Sequence, residues 1–352
     1  MSEKHIGMYL DEEYISNRGI YKGTGVSDDD LRRPVIGIAN SFSDMVPGHT
    51  NLRHLAQHVK YGVYRAGGTP LEFGTAAVCD GVATGHCGGN YALPSRENIA
   101  DTVELQAIAH QLDGLVLMAS CDKIVPAMLM AAARLDIPCI FINGGCMMGG
   151  PPFAGAEKAD ASKVTEALGM QKAGKIPMSE VERLTTVLVP TAGSGQFYGT
   201  ANTMCCLAEA LGMCLPGAAA IPAPFNERQR AAFRTGEAIV GLVEKNITAR
   251  KIITMEAIEN AIMVLMATGG STNAVLHLCA LAHEIGVPAD EVISRIERLS
   301  EEIPQIVAIC PASGRDDVEE FYYAGGVPEV MRRVSKIHRN ALTVTGATVG
   351  EN

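Results

Sequence analysis

The sequence has no apolar run long enough to span a bilayer, and no apolar core near its start of the kind a signal peptide requires. These absences predict a cytoplasmic protein without membrane attachment. It also has no run of lysine or arginine, and its formal net charge of −10 argues against a nucleic-acid partner. No CxxC pair occurs among its 10 cysteines. The cysteines are therefore predicted to be free thiols rather than zinc-ribbon ligands.

A polar cluster with the sequence Ser-Cys-Asp-Lys occupies residues 120–123, between two apolar stretches. It places a thiol, a carboxylate and an amine side by side, after a strand-like run and before a helix-like one. In α/β proteins, ligand-binding and catalytic residues commonly follow a strand in this way. The cluster therefore predicts a metal or iron–sulfur site.

The first half of the chain alternates between strand-like and helix-like patterns. Apolar runs predict strands at 34–39, 70–78, 114–119 and 139–143, and helical periodicity predicts helices at 52–66, 99–112 and 127–135. This alternation is typical of an α/β fold in which helices flank a parallel β-sheet.

The second half of the chain is predicted to be mainly helical. Its helices are predicted at 179–188, 200–211, 227–244, 255–266, 271–285 and 289–303. Residues 1–32 are predicted to form an N-terminal arm and 33–340 the α/β domain. A strand-like segment begins at residue 341.

Four further segments form an ordered set of motifs together with the Cys-Asp-Lys cluster. They are 78–83 (Val-Cys-Asp-Gly-Val-Ala), 93–97 (Leu-Pro-Ser-Arg-Glu), 199–204 (Gly-Thr-Ala-Asn-Thr-Met) and 269–273 (Gly-Gly-Ser-Thr-Asn). Taken in order, they resemble the N-terminal domain of the dihydroxy-acid dehydratase and sugar-acid (6-phosphogluconate, aldonate) dehydratase family. Residues 341–352 look like a truncated junction into that family's C-terminal β-barrel domain. The barrel itself is expected to be absent.

The resemblance implies a Mg²⁺ site made by Asp80, Asp122 and Lys123, and carboxylate oxygens suit this hard cation. It also implies that Lys123 is carbamylated, which converts its ammonium group into a carboxylate-like ligand. Burial that lowers a lysine pKa favours that reaction. From the residues alone, two alternatives stay open: Asp80 as a turn residue that caps its own backbone, and Lys123 as a salt-bridge partner of Asp122 or Asp80.

The resemblance further implies an iron–sulfur cluster (2Fe-2S or 4Fe-4S) with Cys121 as a ligand, because a thiolate is a soft ligand suited to iron. Here the sequence departs from the family, since Gly48 and Gly195 occupy two of its cysteine positions. One thiolate does not hold a cluster that ordinarily has three or four protein ligands. The candidate substitutes for the missing ligands are the cysteines in loops expected at the same sheet edge, Cys79, Cys87 and Cys146, although nothing in their spacing is diagnostic of a cluster.

Two glycine-rich segments precede predicted helices and leave backbone amides free for a substrate carboxylate or phosphate. In the first, the candidate substrate-binding residues are Ser194, Thr200 and Asn202, with Thr200 as the predicted N-cap. The second is the segment 269–273. Each pattern also occurs at helix starts that bind no ligand.

Other polar residues fall in or near the loops expected at this cleft. His49 and His86 suit a catalytic role and a hydrogen-bonded structural role equally well. Ser95 and Arg96 suit either acid binding or capping of the helix predicted from residue 99.

Enzymes of this family remove water from a 2,3-dihydroxy acid, and the resulting enol tautomerises to a 2-keto acid. The resemblance therefore implies a hydro-lyase, most like dihydroxy-acid dehydratase of branched-chain amino-acid biosynthesis. It also implies one half of a split enzyme, because the family's base serine and one magnesium-binding glutamate belong to the barrel domain. The expected partners are a hydroxy-acid substrate, a separate barrel subunit and a further copy of the chain in a homodimer or higher oligomer.

The sequence leaves two other interpretations open. The first is a diverged or truncated relative that only binds a metal or acid ligand, which the glycines at 48 and 195 favour. The second is a nucleotide-binding α/β protein. It is opposed by the absence of GxGxxG after the first predicted strand and of any Walker sequence.

Overall fold

Four apolar segments form the strands of one sheet: β1 (Val35–Asn40), β2 (Thr69–Gly74), β3 (Gly114–Met118) and β4 (Cys139–Ile142). The computed structural model describes residues 6–312 and 316–352, so residues 1–5 of the predicted arm lie outside the described residues. All strand pairs are parallel, in the order β2-β1-β3-β4. Every residue of β1, β3 and β4 is buried, as expected for parallel strands that are covered on both faces.

The chain changes direction across this sheet between β1 and β3. From β1 it runs outward to β2 and then crosses back to β3, on the other side of β1. The loops that leave β1 and β3 therefore separate from each other and open a crevice at the carboxyl ends of the strands, where open α/β sheets bind ligands. Asn40 of β1 pairs in register with Met118 of β3. This register brings the loop after β1 close to the segment 120–123.

Helices flank the sheet and make up most of the second half. They are α1 (Ile15–Lys22), α2 (Asp28–Leu31), α3 (Leu52–Arg65), α4 (Asp80–Ala83), α5 (Ala92–Ala109), α6 (Ile124–Leu135), α7 (Lys163–Lys172), α8 (Met178–Val187), α9 (Thr200–Ala210), α10 (Asn226–Glu244), α11 (Ala249–Ile252), α12 (Met255–Thr268), α13 (Asn273–Glu284), α14 (Ala289–Glu302), α15 (Val318–Tyr323) and α16 (Gly326–Arg333). Short 3-10 helices occur at Met8–Leu10, Glu12–Tyr14 and Cys87–Tyr91.

The predicted architecture, a parallel sheet flanked by helices with a mainly helical second half, is confirmed. The predicted boundaries are less accurate. The helix predicted from residue 99 begins at Ala92, since Pro94 in its first turn occupies a position where no backbone N–H is needed. Ser95 and Arg96 therefore lie inside α5 and do not cap it. Residues 341–352 form an isolated bridge between Leu342 and Thr348 and no strand.

Most buried apolar side chains belong to one cluster that includes the sheet. Val26 and Leu31 of the predicted arm are part of it, so the described part of the arm packs on the α/β domain. The domain limits at 33 and 341 stay predictions. Among the helices in the described part of the chain, none combines the length and the apolar character that crossing a bilayer requires.

Helices α3 and α10 approach each other at two glycines, where their backbones are in direct contact. A Cβ atom at Gly62 would lie 1.9 Å from the Phe233 carbonyl oxygen, and one at Gly236 would lie 2.1 Å from the Val59 carbonyl oxygen. Both distances are far below van der Waals contact. Side chains at these positions would therefore push the two helices apart.

Gly62→Ala is expected to lower the free energy of unfolding by about 3 kcal/mol, because overpacking a rigid helix contact commonly costs about 1–3 kcal/mol and sometimes more. The matched control is Gly241→Ala in α10, where a Cβ atom meets nothing within 4 Å. This control is expected to gain about 0.5–1 kcal/mol from helix propensity. Urea unfolding followed by circular dichroism measures both, since the chain has no tryptophan. Equal effects of the two substitutions would contradict the close contact.

Candidate active site

A cavity of about 600 Å³ opens at the crevice between the loops that follow β1 and β3. Most of the residues lining it belong to the segments 46–48, 79–82, 120–122, 193–195 and 199–202, and residues 84, 147, 161–162, 189 and 197 complete its walls. Ser271, just before α13, lines it as well. The structure thus gathers nearly all the segments that the sequence singled out around one cleft.

Asp80, Asp122 and Lys123 meet at this cleft. Asp80 begins α4, and the other two residues lie in the turn between β3 and α6. The Lys123 Nζ atom lies 2.5 Å from Asp80 Oδ2 and 3.8 Å from Asp122 Oδ2. All three side chains are largely buried, so this contact is shielded from water. Burial and the negative charge of Asp80 raise the pKa of Asp122 above its ordinary value.

Asp80 keeps one acceptor unused. Its Oδ1 atom is buried and has no hydrogen-bond partner among the described residues. A buried carboxylate oxygen without a donor is costly, and a cation at this point would satisfy it. One ligand atom each from Asp80, Cys121 and Asp122 lies within 4.8 Å of the others, which is close enough for a shared metal ion. The donor set therefore fits a metal that accepts carboxylate oxygens.

Two thiols stand beside these carboxylates. Cys121 is buried and its thiol contacts that of Cys79. The hydrogen bond with Cys79, together with burial, raises the pKa of the Cys121 thiol. Cys87 is exposed, and the buried Cys146 thiol faces the Ala220 carbonyl oxygen at 3.9 Å. Neither Cys87 nor Cys146 lines the cleft. Cys79 is therefore the one candidate substitute for the missing cluster ligands that does.

The two glycines at the family's cysteine positions differ in their surroundings. A Cβ atom at Gly48 would lie 3.2 Å from the Ser194 amide nitrogen, a tight but tolerable contact. At Gly195 it would lie 2.9 Å from the aromatic ring of Phe197. Two thiols do not make the three or four ligands that an iron–sulfur cluster needs. The residues present therefore do not fit a cluster.

Ser194 and Asn202 are buried and bonded to each other. The Ser194 hydroxyl donates to Asn202 Oδ1 at 2.6 Å, and Asn202 Nδ2 donates to the Phe197 carbonyl oxygen at 2.9 Å. Their polar groups thus hold the loop that precedes α9. Ser194 and Asn202 both line the cleft, but most of their hydrogen-bonding capacity is used within the protein.

Thr200 connects the starts of two helices. Its hydroxyl lies 2.9 Å from that of Ser271 and accepts a hydrogen bond from Asn273 Nδ2 at 3.0 Å. The prediction that Thr200 is the N-cap of α9 is wrong, because Gly199 occupies that position and Thr200 is the first helical residue. The amino-terminal ends of α9 and α13 converge here.

The two loop histidines have structural contacts. His49 is completely buried; its Nδ1 lies 2.6 Å from the Ser41 carbonyl oxygen, and its Nε2 accepts from the Ser120 amide at 2.9 Å. His86 is exposed and its Nδ1 accepts from the Gly88 amide. Neither lines the cleft.

Sequence reasoning missed a buried histidine close to Lys123. His277 in α13 lies 3.3 Å from Arg96, and its Nε2 has no hydrogen-bond partner among the described residues. Burial, followed by the charges of Arg96 and Lys123, lowers its pKa to about 3. Its position in the first turns of the helix that follows the segment 269–273 was a signal in the sequence that it lies near the site. Its partners, however, lie in other parts of the chain.

The fold and the cleft define an α/β domain with carboxylates and two helix starts gathered at the switch point of its sheet. A family model described as dihydroxy-acid/6-phosphogluconate dehydratase N-terminal matches residues 33–352. The chain belongs to this family.

Curated relatives named dihydroxy-acid dehydratase are similar to the chain over almost its whole length. The one from Caldanaerobacter subterraneus is 49% identical over 97% of this chain and 61% of its own. The one from Pyrococcus furiosus is 50% identical over 96% of this chain and 61% of its own, and the one from Ignicoccus hospitalis is 48% identical over 99% and 63%. The chain thus spans about three fifths of the length of these relatives.

The buried His49 predicts a pH dependence of stability. Burial lowers its pKa from 6.5 to about 4, so the unfolded state binds more protons between these values. Stability is therefore expected to fall as the pH drops through this window, and His49 contributes a loss of about 2 kcal/mol by pH 5. His49→Gln should be less stable than the wild type at pH 7 but lose less stability between pH 7 and pH 5.

Urea unfolding at a series of pH values measures this difference. His86→Gln, which removes an exposed loop histidine, is the control. If His49→Gln and the wild type lose the same stability between pH 7 and pH 5, His49 is not held neutral by the fold.

Proposed function

We propose that this chain supplies the metal-binding and acid-binding part of a hydro-lyase that converts a 2,3-dihydroxy acid or sugar acid to a 2-keto acid. The observation that carries the proposal is the meeting of Asp80, Asp122 and Lys123 in the switch-point cleft, beside two helix starts. The relatives named dihydroxy-acid dehydratase support the substrate class.

Asp80 and Asp122 are the proposed ligands of Mg²⁺, because their oxygens are hard donors and Asp80 Oδ1 is buried without a hydrogen-bond partner among the described residues. The Lys123 ammonium charge lies 2.5 Å from Asp80 Oδ2. Carbamylation of the neutral amine by CO₂, with release of a proton, would replace it with a negative charge on the carbamate oxygens. The ion pair would then become a set of three carboxylate-like ligands. When bound, Mg²⁺ supplies Lewis-acid chemistry to the carboxylate and 2-hydroxyl of the acid.

The starts of α9 and α13 are the proposed binding site for the acid's carboxylate. Helix amino termini carry unpaired amides and partial positive charge, and two of them converge on Thr200 and Ser271. Asn273 fixes the Thr200 hydroxyl from the second helix. Ser194 and Asn202 contribute by holding the loop before α9 in place. An acid bound here would lie next to Asp122.

The groups that remove the C2 proton and protonate the departing 3-hydroxyl are not assigned to this chain. The thiols of the cleft do not fit an iron–sulfur cluster. The relatives extend beyond the part that this chain matches. We propose that such a region, on the same polypeptide or as a separate barrel subunit, completes the site. Homodimeric or higher assembly and a cytoplasmic location stay predictions from the sequence.

Asp122→Asn tests the metal and acid site with almost no change in side-chain volume. We expect at least a roughly 100-fold loss of 2-keto acid formation from a 2,3-dihydroxy acid, since removal of a ligand charge weakens metal binding. The assay is run anaerobically with Mg²⁺, with and without the C-terminal region of a relative. Calorimetry measures Mg²⁺ affinity in parallel.

Asp101→Asn is the matched control, because Asp101 is an exposed carboxylate of α5 that pairs with Arg134 away from the cleft. It should retain both activity and Mg²⁺ binding. If the wild type binds Mg²⁺ but forms no 2-keto acid with the C-terminal region present, the hydro-lyase proposal is wrong. A metal-binding or acid-binding relative without catalysis would then be favoured.

A further inference from the structure

A second group of metal-ligand residues lies outside the residues that line the cleft. Asp160, Cys310 and Asp317 each offer one ligand atom, and these three atoms lie within 4.8 Å of one another. All three residues are buried. The Cys310 thiol donates to Asp160 Oδ2 at 3.2 Å. A thiol and two carboxylates are thus held face to face in the protein interior.

The carboxylates of this group form no direct ion pair in the described part of the chain: no salt bridge within residues 6–312 and 316–352 includes Asp160 or Asp317. The neighbouring lysines are paired elsewhere: Lys158 binds Glu319 and Glu320, and Lys163 binds Glu166. Two buried carboxylates without a cation are unfavourable, because each has lost its hydration.

An unused acceptor marks the position where a cation is needed. Asp317 is 2% exposed, and its Oδ2 atom has no hydrogen-bond partner among the described residues. One of its carboxylate oxygens lies within 4.8 Å of both the Cys310 sulfur and an Asp160 oxygen. The protein therefore holds a buried carboxylate close to a thiol and a second carboxylate.

We propose that Asp160, Cys310 and Asp317 form a binding site for a borderline divalent cation, with Zn²⁺ as the ion that this donor set fits best. Zinc accepts cysteine sulfur and carboxylate oxygen together, whereas Mg²⁺ takes oxygen ligands. Zinc–ligand distances of about 2.0–2.3 Å place tetrahedral ligands about 3.5 Å apart. The 3.2 Å between Cys310 Sγ and Asp160 Oδ2 is already close to that spacing. Water would occupy the fourth position.

The site would hold together the segments that support the cleft. The Tyr198 amide donates to the Cys310 carbonyl oxygen at 2.6 Å, and the Val318 amide donates to the Gln196 carbonyl oxygen at 2.9 Å. Both bonds tie the loop before α9 to the segments that carry Cys310 and Asp317. A cation that also binds Asp160 would link this loop to residues 161–162, which line the cleft. The proposed role is therefore structural, and it does not depend on the proposed reaction.

Cobalt binding tests the proposal directly, because Co²⁺ replaces Zn²⁺ and gives a charge-transfer absorption band when a thiolate is a ligand. Chelator-treated full-length chain is titrated with Co²⁺ alone, and the band is then displaced with Zn²⁺. We expect the wild type to show this band, Cys310→Ser to lose it and Cys121→Ser to retain it. In Asp317→Asn, the Co²⁺ affinity is expected to fall at least tenfold. The Cys121→Ser variant controls for thiolate binding at the cleft.

Thermal unfolding provides a second readout that does not depend on the Co²⁺ absorption band. Zn²⁺ should raise the melting temperature of the wild type with increasing concentration but not that of Asp317→Asn. Circular dichroism checks that each variant is folded, and if Cys310→Ser is not, Asp317→Asn decides. A missing band, a band lost only in Cys121→Ser, or equal Zn²⁺ stabilisation of the wild type and Asp317→Asn would overturn the proposal.

Discussion

The candidate site depends on one buried imidazole that joins the loops after β1 and β3. His49 contacts the Ser41 carbonyl oxygen with one ring nitrogen and the Ser120 amide with the other. The Ser120 hydroxyl in turn accepts from the Gly144 amide, which follows β4. Because a buried neutral imidazole satisfies one acceptor and one donor at once, three loops keep a fixed position without water. The turn that carries Asp122 and Lys123 starts from this arrangement.

Once that turn is fixed, its charges decide the character of the cleft. Asp80 and Asp122 come from different loops, and Lys123 lies between them. As an ammonium group, Lys123 reduces the repulsion between the two carboxylates; as a carbamate, it would add to that repulsion and require a cation. The same framework therefore suits two states that differ by a single modification. Asp80 Oδ1 has no hydrogen-bond partner among the described residues, and a cation in the proposed second state would give it one.

The parts of this arrangement that follow from local pattern were predictable. Strands of a parallel sheet end at one edge, so Asp80 and the Asp122–Lys123 pair could be expected to meet there. The role of His49 could not be predicted, because its burial depends on loops brought together by the register of β1 and β3. The predicted N-cap of α9 was wrong for a similar reason, since the Thr200 hydroxyl hydrogen-bonds with Ser271, which lies just before another helix. Asp160 and Cys310 are 150 positions apart, and no local pattern connects them.

The Phe197 ring and two glycines shape the loop before α9, including position 195, where the family resemblance implies a cysteine. The Phe197 ring covers both Gly195 and Gly199, since a Cβ atom at either glycine would lie within 3.0 Å of it, at 2.9 Å and 2.6 Å respectively. The aromatic ring thus requires both glycines, and a cysteine at 195 would require the ring to move. An apolar ring in place of a thiolate removes a soft ligand from the cleft and lowers the local polarity, which strengthens the interactions of the remaining carboxylates. The loop therefore fits the hard-cation site proposed for the cleft, and the hydrogen bond from the Tyr198 amide to the Cys310 carbonyl oxygen joins it to the segment that carries the second proposed site.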